Sequence, residues 1–150
     1  MTSRQLWIIR HGATEWALQG RHTGSTDLPL LPQGEKEAKA LAPVLKGVRF
    51  AAVLSSPLQR AMRTCALAEL DMHAAILPEL IEWNYGNYEG ITTAEIRQTV
   101  PEWTIWDRDC PGDITLLQCK SVLNELLNMP SASQTRVTSF SSPMDISCGH

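Results

Sequence analysis

Short apolar runs alternate with helical patterns along most of the chain, and this alternation restricts the fold more than any other feature. Residues 6–9 and 51–54 are continuous apolar runs of the kind that form buried parallel strands, and residues 74–77 are a weaker third run. Apolar residues recur at helical spacing after Gly34 and again over residues 92–99. Strands that alternate with helices predict an α/β fold with a mostly parallel sheet.

Arg10, His11 and Gly12 directly follow the first apolar run. Ligands of open α/β sheets bind just beyond the carboxyl ends of the strands, so this position is suited to a ligand site. A neutral histidine can act as a nucleophile, and the planar fork of an adjacent arginine suits the oxygens of a phosphate group. A capped strand end with a surface histidine would carry the same three residues, so the motif needs support from elsewhere in the chain.

Arg60 lies close to the end of the second predicted strand. The serines and the proline at positions 55–57 predict the start of a helix, with Arg60 in its first turn. Because parallel strands end at the same edge of a sheet, we expect Arg10 and Arg60 to reach one anion, with help from the partial positive charge of the helix N-terminus. The alternative is a solvated charge on the helix surface that pairs with nothing, which is our interpretation of Arg63 one turn later.

Residues 82–90 are rich in aromatic residues and glycine, and contain two glutamates in a sequence too irregular for a plain helix. A carboxyl group in a partly apolar pocket has a raised pKa and can protonate a leaving oxygen near neutral pH. Glu82 is the candidate for this general acid, with an ordinary loop carboxylate as the alternative. Glu89 is interpreted as an ordinary loop carboxylate, and His22 as a surface histidine.

Composition argues against several classes of protein. The chain has 150 residues, the size of one ordinary domain, and its 43% hydrophobic residues argue against wholesale disorder. A net charge of -3 without a long basic run argues against a nucleic acid partner. No apolar stretch approaches the ~18 residues of a membrane span, and the N-terminus lacks the apolar core of a signal peptide. The four scattered cysteines lack metal-binding spacing and fit a reducing compartment, so a cytoplasmic location is predicted.

The segments above belong to a larger set of motifs. In chain order these are Arg-His-Gly-Ala-Thr-Glu-Trp (10–16), Arg-His-Thr-Gly (21–24), Asp-Leu-Pro-Leu (27–30), Ser-Pro-Leu-Gln-Arg-Ala (56–61) and Glu-Trp-Asn-Tyr-Gly (82–86). Over residues 4–112 the set resembles the histidine phosphatase superfamily, also called the phosphoglycerate mutase-like family. Within that family the chain looks most like the small sugar-phosphate phosphatases, the branch that includes sedoheptulose bisphosphatase.

This resemblance implies a three-layer phosphoglycerate mutase-like α/β fold and a role for each matching residue. His11 would be the nucleophile that becomes phosphohistidine, and Glu82 would be the general acid. Phosphate- and substrate-binding roles would fall on Arg10, Arg60, Thr23 and Gly24. Phosphoryl transfer of this kind depends on position and positive charge, and the resemblance implies neither a metal nor a cofactor.

The implied activity is the hydrolysis of a small phosphorylated metabolite, and a sugar phosphate is the expected substrate. A phosphoglycerate mutase is one alternative. A mutase must keep the phosphoryl group from water, and the short segment between Glu82 and Gly112 leaves little chain for a lid. An inactive phosphate-binding remnant is the other alternative.

The family also uses a second histidine, in a Ser-His-Gly-His-like motif after a late strand, and this sequence contains no such motif. The composition changes after Gly112, and residues 131–142 are predicted to be irregular. If the codons for residues 137–149 are read one base back, they permit Asp-Ile-Val-Leu-Phe-Ser-His-Gly-His-Ile-Leu-Arg, a strand followed by that motif. We therefore expect a C-terminally truncated histidine phosphatase domain over residues 1–112 and an out-of-frame tail over residues 113–150.

Overall fold

One parallel sheet organises the chain. The computed structural model describes residues 6–105 and 135–138. The strands of the sheet are β1 (Leu6–Ile9), β2 (Ala52–Ser55), β3 (Ala74–Ile76) and β4 (Thr135–Thr138). They lie in the order β1-β4-β2-β3, and each neighbouring pair is parallel. The prediction of an α/β fold with a mostly parallel sheet is confirmed.

Helices connect these strands. They are α1 (Glu15–Leu18), α2 (Pro32–Leu45), α3 (Gln59–Leu67) and α4 (Thr93–Thr99). α3 begins later than the proline at position 57 predicts, because the hydroxyl of Ser56 accepts a hydrogen bond from the N–H of Leu58 in a turn that precedes the helix. Arg60 still lies in the first turn of α3, as predicted.

Two apolar clusters hold the elements in place. The larger cluster packs β1 and β2 against α2 and α3 through Ile9, Leu45, Val53, Cys65, Ala68 and Leu70. A second cluster, formed by Tyr85, Ile96 and Trp103, packs the aromatic segment of the chain against α4. Burial of apolar surface stabilises such contacts by about 25 cal/mol per Å². The first cluster therefore fixes the end of β1, and the second fixes the aromatic residues of segment 82–90.

β4 corrects the prediction that residues 131–142 are irregular. It inserts between β1 and β2, and its last residue, Thr138, pairs with Ile9 and Ser55. Its sequence Thr-Arg-Val-Thr is rich in β-branched residues, which favour strands. The strand was missed because four residues without a continuous apolar run give too weak a pattern. Through this pairing, the carboxyl ends of three parallel strands meet at one edge of the sheet.

The predicted division between residues 1–112 and residues 113–150 falls outside the described part of the chain. It stays a prediction. The described residues on the two sides of that boundary are joined in one sheet, because β4 pairs with both β1 and β2.

Candidate active site

The loop after β1 is held tightly between two helices. A Cβ atom on Gly12 would overlap the carbonyl oxygen of Gly34 in the first turn of α2, so only glycine fits there. The N–H of Gly12 donates a hydrogen bond of 3.1 Å to the hydroxyl of Thr64, which in turn donates to the carbonyl oxygen of Arg60 at 2.8 Å. His11 directly precedes Gly12 in the chain, so these contacts also restrict the position of His11.

His11 is buried in a form suited to nucleophilic attack. Its Nδ1 lies 2.7 Å from the carbonyl oxygen of Gly12. Because a carbonyl oxygen only accepts, Nδ1 carries the proton and Nε2 bears the lone pair. Burial, together with the charges of Arg60 and Arg10, lowers the pKa of His11 to about 4, although the hydrogen bond to Gly12 opposes this shift. The imidazole is therefore neutral at pH 7, and Nε2 has no hydrogen-bond partner among the described residues.

Arg60 is 1% exposed and therefore not a solvated surface charge. Its Nη1 donates to the carbonyl oxygen of Thr26 and its Nη2 to that of Gly24, both at 2.7 Å. Its buried Nε has no partner within the described part of the chain. Burial lowers the pKa of Arg60, and nearby acidic groups, Glu82 first among them, oppose this shift. The guanidinium is thus fixed by two carbonyl groups that do not neutralise its charge.

Arg63 lies on the exposed surface of α3, as predicted, but the prediction that it pairs with nothing is wrong, because its Nε lies 2.8 Å from Oε1 of Glu35 in the neighbouring helix α2. It therefore provides a matched comparison for Arg60 on the same helix.

Glu82 is buried with one oxygen bound and the other unpaired. Its Oε1 accepts a hydrogen bond of 2.8 Å from the hydroxyl of Tyr85, and its Oε2 has no partner among the residues described. Burial, with a smaller contribution from the charge of Glu89, raises the pKa of Glu82 to about 8. The Tyr85 hydrogen bond and the charges of Arg60 and Arg10 oppose it. Glu82 is therefore mostly protonated at neutral pH, which is the state required of a general acid.

A cleft at this edge of the sheet joins the predicted residues. Arg10, His11 and Thr23 line it together with Tyr85, the residue that holds Glu82. Gly24 lies next to Thr23 and binds Arg60 through its carbonyl oxygen. Three of the six predicted site residues therefore line the cleft, and the other three are connected to its lining through these contacts. The chemical roles of all six stay predictions.

The interpretation of His22 as a surface histidine is wrong. It is half-buried and lines the cleft, and its ring centroid lies 4.9 Å from that of Tyr85 and 5.1 Å from that of Trp103. Its Nε2 is 3.1 Å from the hydroxyl of Thr93. The short motif Arg-His-Thr-Gly around it was the available signal, but the aromatic partners are distant in sequence and could not be assigned beforehand.

The interpretation of Glu89 as an ordinary loop carboxylate is also wrong. Its two oxygens accept hydrogen bonds from three backbone N–H groups and from one hydroxyl. The donors come from Gly24, Ser25, Thr26 and Tyr85. No sequence pattern links this carboxylate to donors more than sixty residues earlier in the chain.

Residues 6–105 and 135–138 show neither a metal cluster nor a membrane-spanning helix. They contain no group of three or more His, Cys, Asp or Glu side chains placed to hold a metal ion. None of their helices has both the length and the apolar character that a membrane span requires.

Comparison with known proteins places these features in a family. A sequence model of the histidine phosphatase superfamily (branch 1) matches residues 6–128. An acid phosphatase of Mycobacterium tuberculosis is 36% identical over 118 residues, which cover 77% of this chain and 58% of the relative. The sedoheptulose 1,7-bisphosphatase of Saccharomyces cerevisiae is 32% identical over 134 residues, which cover 74% of this chain and 49% of the relative.

Solved structures agree with the sequence comparisons. The structure of an open reading frame product from Mycobacterium tuberculosis matches with a TM-score of 0.82 and 32% identity, over 89% of this chain and 72% of that chain. This match confirms the predicted phosphoglycerate mutase-like fold. The chain spans about half the length of the curated relatives it matches. Those relatives include both phosphatases and phosphoglycerate mutases.

Proposed function

Since the chain belongs to the histidine phosphatase superfamily, we propose that it hydrolyses small phosphomonoesters through a phosphohistidine intermediate. The observation that carries this proposal is the state of His11. Its neutral imidazole presents an unpaired Nε2 next to two arginines, in a cleft that also contains the residue holding Glu82. A buried nucleophile beside fixed positive charge is the arrangement that in-line phosphoryl transfer requires.

In the first step, Nε2 of His11 attacks the phosphorus and the P–O bond to the leaving group breaks. Arg10 and Arg60 stabilise the negative charge on the phosphoryl oxygens. Glu82 gives its proton to the leaving oxygen and becomes a carboxylate. The bond from Nδ1–H to the carbonyl oxygen of Gly12 stabilises the imidazole ring as it becomes positively charged.

In the second step, water attacks the phosphorus of the phosphohistidine. The carboxylate of Glu82 takes a proton from that water, the P–N bond breaks, and inorganic phosphate leaves. His11 returns to its neutral form and Glu82 to its protonated form, so the site is ready for another cycle.

We propose that the substrate is a sugar phosphate. We also propose that the protein acts in the cytoplasm. One of the similar proteins is named a sedoheptulose 1,7-bisphosphatase, which supports a sugar phosphate. The wall of the cleft beyond His11 is formed by Arg21, His22 and Thr23. These side chains offer donors and acceptors that suit the hydroxyl groups of a sugar.

One sequence observation favours a second candidate, an inactive phosphate-binding remnant. The Ser-His-Gly-His-like motif that would supply a second histidine does not occur in the 150 residues. His11, Arg10 and Arg60 would still bind an anion without it, but turnover would fall by orders of magnitude. Binding of inorganic phosphate without measurable hydrolysis would identify this case.

We also propose that residues 113–150 are encoded out of frame. Support comes from the shifted reading of the codons for residues 137–149, which contains the missing motif. Sequencing the gene across the codons for residues 110–114 and beyond His150 tests this. A missing or extra base, followed by a frame that runs through Ser-His-Gly-His, is the expected result. An intact frame with no such motif in another frame would reject it.

The activity is tested by the release of inorganic phosphate from glycerol 3-phosphate, sedoheptulose 1,7-bisphosphate and 3-phosphoglycerate. We expect hydrolysis of a sugar phosphate and no conversion of 3-phosphoglycerate to 2-phosphoglycerate, which would instead indicate a mutase. Replacement Arg60→Ala should lower the rate by about 10²-fold or more. The exposed Arg63→Ala on the same helix is the matched control and should keep the rate. A rate that is unchanged in His11→Ala would overturn the proposal.

A further inference from the structure

The carboxylate of Glu89 binds four donors. Its Oε1 accepts hydrogen bonds from the N–H groups of Gly24 at 2.9 Å, Ser25 at 3.1 Å and Tyr85 at 3.2 Å. Its Oε2 accepts one from the hydroxyl of Thr26 at 2.6 Å. Four hydrogen bonds fix the position of this half-buried carboxylate, and they also fix the backbone segments that donate to it.

The segment of residues 24–26 connects Glu89 to Arg60. Glu89 binds this segment from one side through N–H and hydroxyl groups. Arg60 binds it through the carbonyl oxygens of Gly24 and Thr26. A Cβ atom on Gly24 would overlap the carbonyl oxygen of Trp83, so the segment lies directly against the aromatic part of the chain. Loss of the Glu89 contacts would therefore free the two carbonyl groups that orient the guanidinium.

Tyr85 connects Glu89 to the proposed general acid. Its backbone N–H donates to Glu89, and its side-chain hydroxyl donates to Oε1 of Glu82. The same residue is therefore bound at its backbone by one carboxylate and at its ring by the other. A displacement of the Tyr85 backbone would move the hydroxyl that orients Glu82.

We propose that Glu89 is a positioning residue that holds Arg60 and Glu82 in one geometry for phosphoryl transfer. This inference rests on the proposed function. Through the segment of residues 24–26, Glu89 positions Arg60, which would bind the phosphate. Through Tyr85, it positions Glu82, which would protonate the leaving oxygen. It does not itself touch the reacting atoms.

A purely structural role and a positioning role differ in a measurable way. The groups that act on the charge of Glu82 are Tyr85, Arg60, Arg10 and Glu89. The negative charge of Glu89 raises the pKa of Glu82, so its removal should lower that pKa. The loss of hydrolysis at alkaline pH should then begin at a lower pH. A carboxylate that only stabilised the fold would change the unfolding transition and leave this limb of the pH profile in place.

The test compares Glu89→Ala and Glu89→Gln with the same two replacements at Glu79, an exposed carboxylate outside the cleft. Hydrolysis of glycerol 3-phosphate and the affinity for inorganic phosphate are measured for each full-length chain, and urea unfolding checks the fold. We expect Glu89→Ala to lose about 100-fold in hydrolysis rate and to bind phosphate more weakly. Glu89→Gln keeps an acceptor oxygen for the backbone N–H groups and should lose about tenfold or less. The Glu79 variants should resemble wild type.

The pH profile of Glu89→Gln carries the test if Glu89→Ala does not fold. We expect its alkaline limb to lie at lower pH than in wild type. An unshifted limb, or equal losses in both Glu89 variants that follow their unfolding midpoints, would overturn the inference while the hydrolysis by wild type stands. If wild type binds phosphate without hydrolysis and only Glu89→Ala loses binding, the phosphatase proposal fails and the positioning role survives. If wild type neither binds nor hydrolyses, both are rejected.

Discussion

The hydroxyl of Tyr85 donates a 2.8 Å hydrogen bond to Oε1 of Glu82, and the other oxygen of Glu82 is buried without a partner in the described part of the chain. A carboxyl oxygen that accepts the tyrosine hydrogen is a poor place for the acidic proton. The proton of Glu82 therefore resides on Oε2. In this way Tyr85 determines which oxygen acts as the acid.

Replacement Tyr85→Phe should move the alkaline limb of the pH profile to higher pH. The Tyr85 hydrogen bond lowers the pKa of Glu82, so its loss raises that pKa above about 8. A bond to a charged group contributes about 1.5 kcal/mol or more, which corresponds to a shift of about one pH unit. The measurement is kcat/KM for glycerol 3-phosphate against pH. Tyr88→Phe in the same segment is the control, and equal profiles for the two variants would contradict the prediction.

Wild-type hydrolysis should follow a bell-shaped pH profile. His11 must be neutral to attack, so kcat/KM should rise as the pH increases through about 4. Glu82 must be protonated to act as an acid, so kcat/KM should fall as the pH increases through about 8. An aryl ester with a good leaving group needs little help from an acid, and its alkaline limb should be weaker than that of an alkyl phosphate. Identical alkaline limbs for both esters would contradict the role of Glu82.

Replacement Glu82→Gln should abolish most hydrolysis of alkyl phosphates and stabilise the fold at alkaline pH. The pKa of Glu82 is raised on folding, from an ordinary value near 4.5 to about 8. The unfolded chain loses this proton at lower pH than the folded chain, so the stability of wild type falls as the pH rises between the two values. The full difference in pKa corresponds to a gain of at most about 5 kcal/mol in the free energy of unfolding at alkaline pH.

Urea unfolding at several pH values measures this gain. The difference between Glu82→Gln and wild type should narrow toward the acidic end of the range, where both folded and unfolded wild type are protonated. A difference that stays constant with pH would mean that Glu82 carries no shifted pKa.

Replacement Thr64→Val should destabilise the protein by about 1–3 kcal/mol. The valine has nearly the shape of threonine but leaves the N–H of Gly12 without its acceptor in a buried position. Thr64→Ser retains the hydroxyl and is the matched control. Chemical unfolding provides the measurement, and Thr64→Val should also reduce hydrolysis, because the loop that carries His11 loses its tie to α3. Equal unfolding free energies for the two variants would contradict this account.

The positions of the main site residues could be predicted because they follow elements with strong local patterns. His11 comes directly after a continuous apolar strand, and Arg60 lies in the first turn of a helix that follows another. Because parallel strands end at the same edge of a sheet, the sequence positions of His11 and Arg60 were enough to predict that the two residues lie close together. Glu82 required more information, since only its surroundings of aromatic residues distinguished it from a loop carboxylate.

The contacts that hold the site could not be predicted, because they link residues that are far apart in the chain. Glu89 binds the segment of residues 24–26, and His22 packs on Trp103. Neither contact leaves a periodic pattern in either partner. β4 was missed for a related reason, since its pairing with β1 and β2 is supplied by the sheet and not by a strong local sequence.

The central claim is that Nε2 of His11 becomes phosphorylated. The most direct test is to mix the full-length chain with sedoheptulose 1,7-bisphosphate, quench in alkaline denaturant, where phosphohistidine survives, and locate the phosphoryl group by peptide mass spectrometry. The account predicts a phosphoryl group on the peptide that contains His11, its loss on acid treatment, and its absence in His11→Ala. Release of inorganic phosphate with no label on His11 under any quench, or a label that persists in His11→Ala, would contradict it.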